Sequence, residues 1–295
     1  MENTLKRLGN LPGKIARTYA ARRENEYLVL HWARQGVIGI NWGDKLNPVL
    51  ARMISGKNVV HAFDVFPTSD RPIYYMIGSS LEHAQRKKAV VWGVGFISEE
   101  QGIEQAPAAV HAVRGYRSME RLQQLGIECP DVVGDPAFLL PRYYKPRDIG
   151  RRYKVGVIPH CYELDLPCVQ PGALPEDSLL IDITGGVFDV IDQICSCDEI
   201  ISSSLHGLIC AEAYGVPSQW VKLSERPIGD GFKYHDFYSS IGKQVDGPIS
   251  IRSGEEWLPL LGQSELPVSP TRLDGLNDRL LNACPFWPGS RNLSW

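Results

Sequence analysis

The sequence predicts an α/β protein built from two similar halves that face a cleft. Three observations predict it. Short apolar runs alternate with helical patterns along nearly the whole chain, which calls for mainly parallel sheets covered by helices. The alternation breaks once, over residues 135–152, where Asp135-Pro136, Pro141, Pro146 and Gly150 lie among five basic residues and read as a linker. The residues best equipped for chemistry fall where strands are expected to end, which is where open α/β sheets bind ligands.

Taken in order, Tyr27–Trp32 reads as a strand, and Asp44 opens a helix to about Ser55, with Pro48 in its first turns and Gly56 as its stop. Val59–Ala62 and Ile73–Ile77 are strands, the second followed by Gly78-Ser79-Ser80 and a helix to about Arg86. Ala89–Trp92 and Ala109–Val113 are strands, and Tyr116–Leu125 is a helix stopped by Gly126. Beyond the linker, Lys154–Ile158 and Leu179–Ile183 are strands, Val187–Ser196 a helix, Glu199–Ser202 a strand, Leu205–Tyr214 a helix and Ser218–Lys222 a strand. After about residue 242 only Thr271–Leu281 looks helical. The implied division is a basic arm over 1–25, a first α/β domain over 26–145 and a second over 150–295.

Composition narrows the function classes. With 43% apolar and 22% charged residues, the 295-residue chain has the make-up of a soluble globular protein with room for two domains. No apolar run approaches the roughly 20 residues of a membrane helix, and residues 1–30 show no signal-peptide pattern, so a cytoplasmic location is expected. A net charge of -3 argues against nucleic-acid binding. Seven cysteines, an odd number, fit reduced thiols. Lys6, Arg7, Lys14, Arg17, Arg22 and Arg23 face only Glu2 and Glu24. They form either a solvated arm or one that leans on anionic lipid headgroups.

The richest stretch is Ser202-Ser203-Ser204-Leu205-His206-Gly207. A strand-to-helix turn there aims free N–H groups and a positive dipole end at one point, a site for a small anion. Ser203 and Ser204 add hydroxyls, and His206 adds a group that carries or moves a proton. Asn41-Trp42-Gly43-Asp44 occupies another such turn: Asp44 is a cap, and also a carboxylate that can face the cleft, accept from a sugar hydroxyl or act as a base. Arg114, at a strand end, is either a surface residue or a planar clamp for phosphate or carboxylate, with Arg117 the solvent-facing neighbour. His160 ends the first strand of the second half and is structural or part of the site. Lys233-Tyr234-His235-Asp236 reads as a cleft loop in which Lys233 adds charge.

Other chemistries lack their motifs. Gly93-Val94-Gly95 has no third glycine for a dinucleotide turn, so its glycines let backbone pass close to a ligand or a neighbouring element. Cys195, Cys197 and Cys210 match neither zinc nor redox spacing, and no metal is expected. There is no P-loop and no Gly-x-Ser-x-Gly elbow.

Several segments occur in a recognisable order: Asn-x-Gly-Asp at 41–44, Val-Trp-Gly-x-Gly at 91–95, Val-Arg-Gly at 113–115, Gly-Asp-Pro at 134–136 and Pro-His at 159–160. Ser-Ser-Ser-Leu-His-Gly at 202–207, Ala-Glu-Ala-Tyr-Gly at 211–215 and Phe-Lys-Tyr at 232–234 complete the series. It resembles the polysaccharide pyruvyl transferases, and among them the ketal pyruvate transferases of bacterial exopolysaccharide synthesis. The resemblance covers about residues 38–240. It implies a GT-B-like fold of two Rossmann-like domains, phosphoenolpyruvate as donor, and a hexose of a polyprenyl-linked oligosaccharide as acceptor. A pyruvate ketal then bridges two hydroxyls and phosphate departs, with no cofactor. By motif, Arg114, Leu205 and His206 bind the donor and Asp44 matches the family's Gly-Asp. His206 is the expected acid, and Asp44 or His160 the base. Ser203, Ser204 and Lys233 would help hold the donor, and Asn41, Trp42, Asp44 and His160 would meet the acceptor. Two other readings stay open: a nucleotide-sugar glycosyltransferase of GT-B type, and a non-catalytic sugar-binding partner.

Overall fold

The computed structural model describes residues 27–34, 41–65, 70–147 and 150–290; the basic arm over 1–25 lies outside them. The chain is α/β with two parallel five-stranded sheets. The first holds β1 (Tyr27–Leu30), β2 (Asn58–His61), β3 (Ile73–Tyr75), β4 (Ala89–Trp92) and β5 (Ala109–Ala112), in the order β2-β1-β3-β4-β5. The second holds β6 (Tyr153–Ile158), β7 (Ser178–Leu180), β8 (Cys197–Ser202), β9 (Ser218–Lys222) and β10 (Ile249–Ser250), in the order β10-β9-β8-β6-β7. Read from its own first strand, each half has the same order, 2-1-3-4-5, and so the same reversal point between its first and third strands. That point is where such sheets open a crevice at the carboxyl ends of their strands.

The helices are α1 (Trp42–Ser55), α2 (Tyr116–Gln124), α3 (Leu140–Tyr143), α4 (Val187–Cys195), α5 (Leu205–Ala213), α6 (Phe232–Ser240) and α7 (Pro270–Asn282). Helix α1 starts two residues before Asp44, because the Asn41 side chain accepts from the Gly43 N–H at 3.1 Å. Pro48 therefore sits inside the helix and leaves the Asp44 carbonyl without its usual donor. Gly56, at φ 67°, ends the helix as expected.

Four expectations need correction. Ile73–Ile77 stops pairing at Tyr75, because the Ile77 N–H is taken by the Asn47 side chain at 3.1 Å. The helix expected up to Arg86 is only a 3-10 turn, Leu81–His83, in a stretch too short to offset helix nucleation. Residues 135–143 are not linker. Asp135 accepts from the Ala137 N–H at 2.9 Å and Pro136 starts a 3-10 turn that runs into α3, with Ala137, Phe138, Leu139 and Leu140 fully buried. The fourth is the loop at Lys233–Asp236, which is helical and forms the first turns of α6.

The halves are interlocked. One apolar core runs from Leu46 and Leu50 of α1 through Phe138 to Leu208 and Ile209 of α5 and Leu276 and Leu280 of α7. The Trp42 indole donates across to the Val187 carbonyl at 3.0 Å. Helix α7, assigned by sequence to the second half, packs on the first: the Trp92 indole donates to the Leu280 carbonyl at 2.9 Å. Gly93 and Gly95 show what their motif is for. A Cβ on Gly93 would lie 2.3 Å from Pro136, and one on Gly95 2.6 Å from the Arg114 guanidinium, so both accommodate a neighbouring element.

Candidate active site

Both reversal points open on one cleft of about 1200 Å³. The first half contributes His31, Asn41, Asp44 and Ser79, among others; the second contributes His160, Cys161, Ser204, Leu205, His206 and Lys233. The heads of α1 and α5 both reach this cleft, so the two strand-to-helix turns singled out in the sequence meet although they lie 160 residues apart. First-turn N–H groups have no partner within their own helix, so the two heads present donors and positive potential to the same space.

The three serines before α5 divide by role. Ser202 is fully buried, and its Oγ accepts from the Ser204 N–H at 2.9 Å, tying the turn. The Ser203 hydroxyl accepts from the His160 N–H at 2.9 Å and donates to Glu163 at 2.5 Å. Glu163 is buried and also accepts from Ser224 at 2.6 Å. Ser203 is thus a strut between the two loops and not a cleft donor. Ser204 lines the cleft, and its hydroxyl makes no capping bond.

His206 is wedged between the halves. A Cβ on Gly43 would lie 2.2 Å from its Cε1, so only glycine lets α1 approach the ring. Its Nε2 faces Asp135: His206 Nε2 and Asp135 Oδ2 are 3.9 Å apart, both are buried, and neither has a hydrogen bond among the described residues. Burial first, then the charges of Arg114, Lys233 and His160, push His206 down to about 3, so its imidazole is neutral at ordinary pH. Burial pushes Asp135 up to about 7 and Asp44 to about 7, the latter against a bond accepted from the Ala33 N–H at 3.2 Å. A carboxyl that titrates near neutrality suits general acid–base work. His160 is driven down to about 4 by burial and Lys233. Lys233 is buried, brought down to about 8, and donates to the Ile228 carbonyl at 3.0 Å, so it stays largely cationic at the cleft wall.

Besides Ser203, two expected site residues are elsewhere. Arg114 is fully buried beneath the cleft and its fork is engaged: Nε and Nη2 meet Asp236 at 2.9 Å, Nη2 meets the Phe96 carbonyl at 2.5 Å, and Nη1 meets Ser79 at 2.6 Å and the Gly78 carbonyl at 3.3 Å. Its contact with the cleft runs through Ser79 and Gly78. Trp42 is fully buried and does not line the cleft; its ring fills the seam between the halves. Asn41, Asp44, His160, Ser204, Leu205, His206 and Lys233 all reach the cleft. Sequence reasoning gave no role to Asp135, Glu163 or Asp236. Gly134-Asp135-Pro136 was visible as a motif, but nothing local shows what its carboxyl faces.

Comparison with known proteins agrees with this arrangement of motifs. A family model described as polysaccharide pyruvyl transferase matches residues 55–222, more than half of the chain. An uncharacterized protein of Acanthamoeba polyphaga mimivirus is 28% identical over 215 residues, covering 70% of this chain and 73% of that protein. The succinoglycan biosynthesis protein ExoV of Rhizobium meliloti is 27% identical over 182 residues, 61% of this chain but only 54% of that protein. Among solved structures, a functionally uncharacterized protein of Klebsiella pneumoniae superposes with a TM-score of 0.46 at 13% identity, over 82% of this chain and 98% of the other.

Proposed function

We propose a reaction on one premise, that the chain belongs to the polysaccharide pyruvyl transferase family: it moves pyruvate from phosphoenolpyruvate to a hexose of a polyprenyl-linked oligosaccharide, as a ketal, during exopolysaccharide synthesis. The observation that carries the reading is the convergence of the α1 and α5 heads on one cleft, with His206 between them and Lys233 at the wall. Two Rossmann-like halves around such a cleft also suit a GT-B-like description.

In this reading the phosphate and carboxylate of the donor lie at the α5 head, between the Ser204 hydroxyl, the first N–H groups and Lys233. Arg114 supplies charge from below, through Ser79. A proton from His206 reaches the methylene carbon while a sugar hydroxyl attacks C2, and Asp44 accepts the hydroxyl proton. The product is a tetrahedral ketal phosphate. Phosphate leaves with the C–O electron pair, and the second hydroxyl attacks C2 to close the ring, its proton passing to the departing phosphate. An anionic donor beside His206 favours its imidazolium, which opposes the depression caused by burial and by the charges of Arg114 and Lys233. Asn41 and His160 face the remaining space, where the acceptor enters. We place the reaction on the cytoplasmic side of the membrane, with the basic arm against anionic lipid. No helix of the described residues is long and apolar enough to cross a membrane.

Titration calorimetry of the full chain with phosphoenolpyruvate and with UDP-sugars tests the donor. The expected result is binding of phosphoenolpyruvate, weakened by Lys233→Met, and no binding of UDP-sugars. The reverse preference would identify a nucleotide-sugar glycosyltransferase instead.

A further inference from the structure

Buried polar atoms are paired in folded proteins, and an orphan needs a reason. His206 Nε2 and Asp135 Oδ2 are orphans that face each other at 3.9 Å across the seam between the halves. Asp135 is fully buried and fixed at three points. Its Oδ1 caps the following turn, Pro136 packs where Gly93 leaves room, and the Ala137–Leu140 segment is in the core. Only Oδ2 lacks a partner, and it points at the imidazole.

We propose that Asp135 is a positioning residue that shares one proton with His206, sets the ring's tautomer and restores the proton the ring delivers. The destination of that proton rests on the pyruvyl-transfer reading; the pairing itself does not. A protonated Asp135 donates from Oδ2 to Nε2 once the pair closes by about 1 Å, a tightening common when substrate arrives. The ring proton is then on Nδ1. In the transfer, the C=C electron pair takes the Nδ1 proton and forms the new methyl C–H bond. The Asp135 proton has by then moved to Nε2, drawn there by the donor's charge, and has left a carboxylate. The hydroxyl oxygen bonds C2 and its proton passes to the Asp44 carboxylate. One carboxyl is lost and one gained, so charge balances. The pair resets when the proton gained by Asp44 reaches Nδ1 through water and the Nε2 proton returns to Asp135.

The charged groups around the pair support a single shared proton. Arg114 acts on both partners, Lys233 of α6 and His160 act on His206, Asp236 of α6 acts on Asp135, and Asp44 lies one residue beyond the glycine that abuts the ring. Burial raises Asp135 to about 7 while His206 stays neutral, so the proton belongs to the carboxyl until an anion enters.

The test is ¹⁵N-histidine NMR of the full chain, with His206 assigned by His206→Gln, in the wild type and in Asp135→Asn and Asp135→Ser. Both substitutions keep a cap for the Ala137 N–H, and far-ultraviolet circular dichroism checks the fold. In the wild type the His206 signals should move as pH passes about 7, reporting ionisation of Asp135. In both variants they should stay flat there. With phosphoenolpyruvate added, the wild-type ring should become imidazolium at neutral pH and the Asp135→Asn ring should stay neutral, while calorimetry still shows donor binding by both, weaker in the variant. The same pH response in wild type and variants would overturn the pairing. A coupled pair in a protein that does not bind phosphoenolpyruvate would leave the pairing standing and remove the donor reading instead. Loss of donor binding in Asp135→Asn with the pH response unchanged would make Asp135 a structural cap only.

Discussion

His206 is the side chain on which the chemistry turns, and its surroundings set what substitution does. It is buried, neutral and in contact with both halves. His206→Ala should fold and lose about two orders of magnitude or more in phosphate release from phosphoenolpyruvate, the span general acid–base groups usually cover; near-normal release would discard its role. Asp44 carries the opposite pH signature. Its pKa is raised from 3.8 to about 7, so the folded state prefers the neutral carboxyl. The resulting stability is full below pH 3.8 and is lost as pH rises through 7. Asp44→Asn should therefore raise the melting temperature relative to wild type at pH 8 and leave it unchanged near pH 3.5, while turnover falls. An equal shift at both pH values would contradict the burial argument. Arg114 was legible as important but not in its role. Strand-end position suggested a phosphate clamp, whereas its carboxylate partner lies 122 residues away on α6. Removing one partner of a buried ion pair typically costs about 3–5 kcal/mol. Arg114→Met should lower the free energy of unfolding by an amount of that order, seen as a lower denaturation midpoint, and an unchanged midpoint would show the pair to be dispensable.

At the scale of elements, local signals carried most of the framework. Ala89–Trp92, Tyr116–Gln124, Val187–Cys195 and Leu205–Ala213 were readable because apolar runs and Gly stops bound them. Residues 232–240 were not, since Lys, Tyr, His and Asp in sequence suggest a loop; most of them are buried because α6 packs on α2, where Ser118 bonds Asp236 at 2.8 Å, and against Trp220 and Phe138. The Pro-rich stretch after Gly134 misled for the opposite reason, a cap and first-turn proline looking like a linker. The approach of α1 to α5 gives a test at this scale. Gly43→Ala should by propensity favour the helix by about 1 kcal/mol, yet its Cβ would lie 2.2 Å from His206. Turnover should fall about tenfold or more, the imidazole being pushed off its position, with far less loss of stability than a cavity mutation causes. Unchanged turnover would mean that the ring needs no fixed seat.

Across the whole molecule, the repeated 2-1-3-4-5 order explains why candidate residues from distant parts of the sequence share one cleft. Strand-end chemistry was readable from sequence; which half faced which was not, because the seam is made by Trp42, Asp135, Asp236 and α7, whose partners lie far along the chain. One core crosses the seam, so the halves should unfold together, with circular dichroism and tryptophan fluorescence giving one coincident denaturant transition. Two separated transitions would mean that the seam is weak. The central claim concerns the cleft itself, and a crystal structure of the full chain soaked with phosphoenolpyruvate tests it most directly. The donor should lie at the head of α5, within hydrogen-bond reach of the Ser204 hydroxyl, Lys233 and His206. A donor bound outside the cleft, or within it but out of reach of His206, would contradict the account.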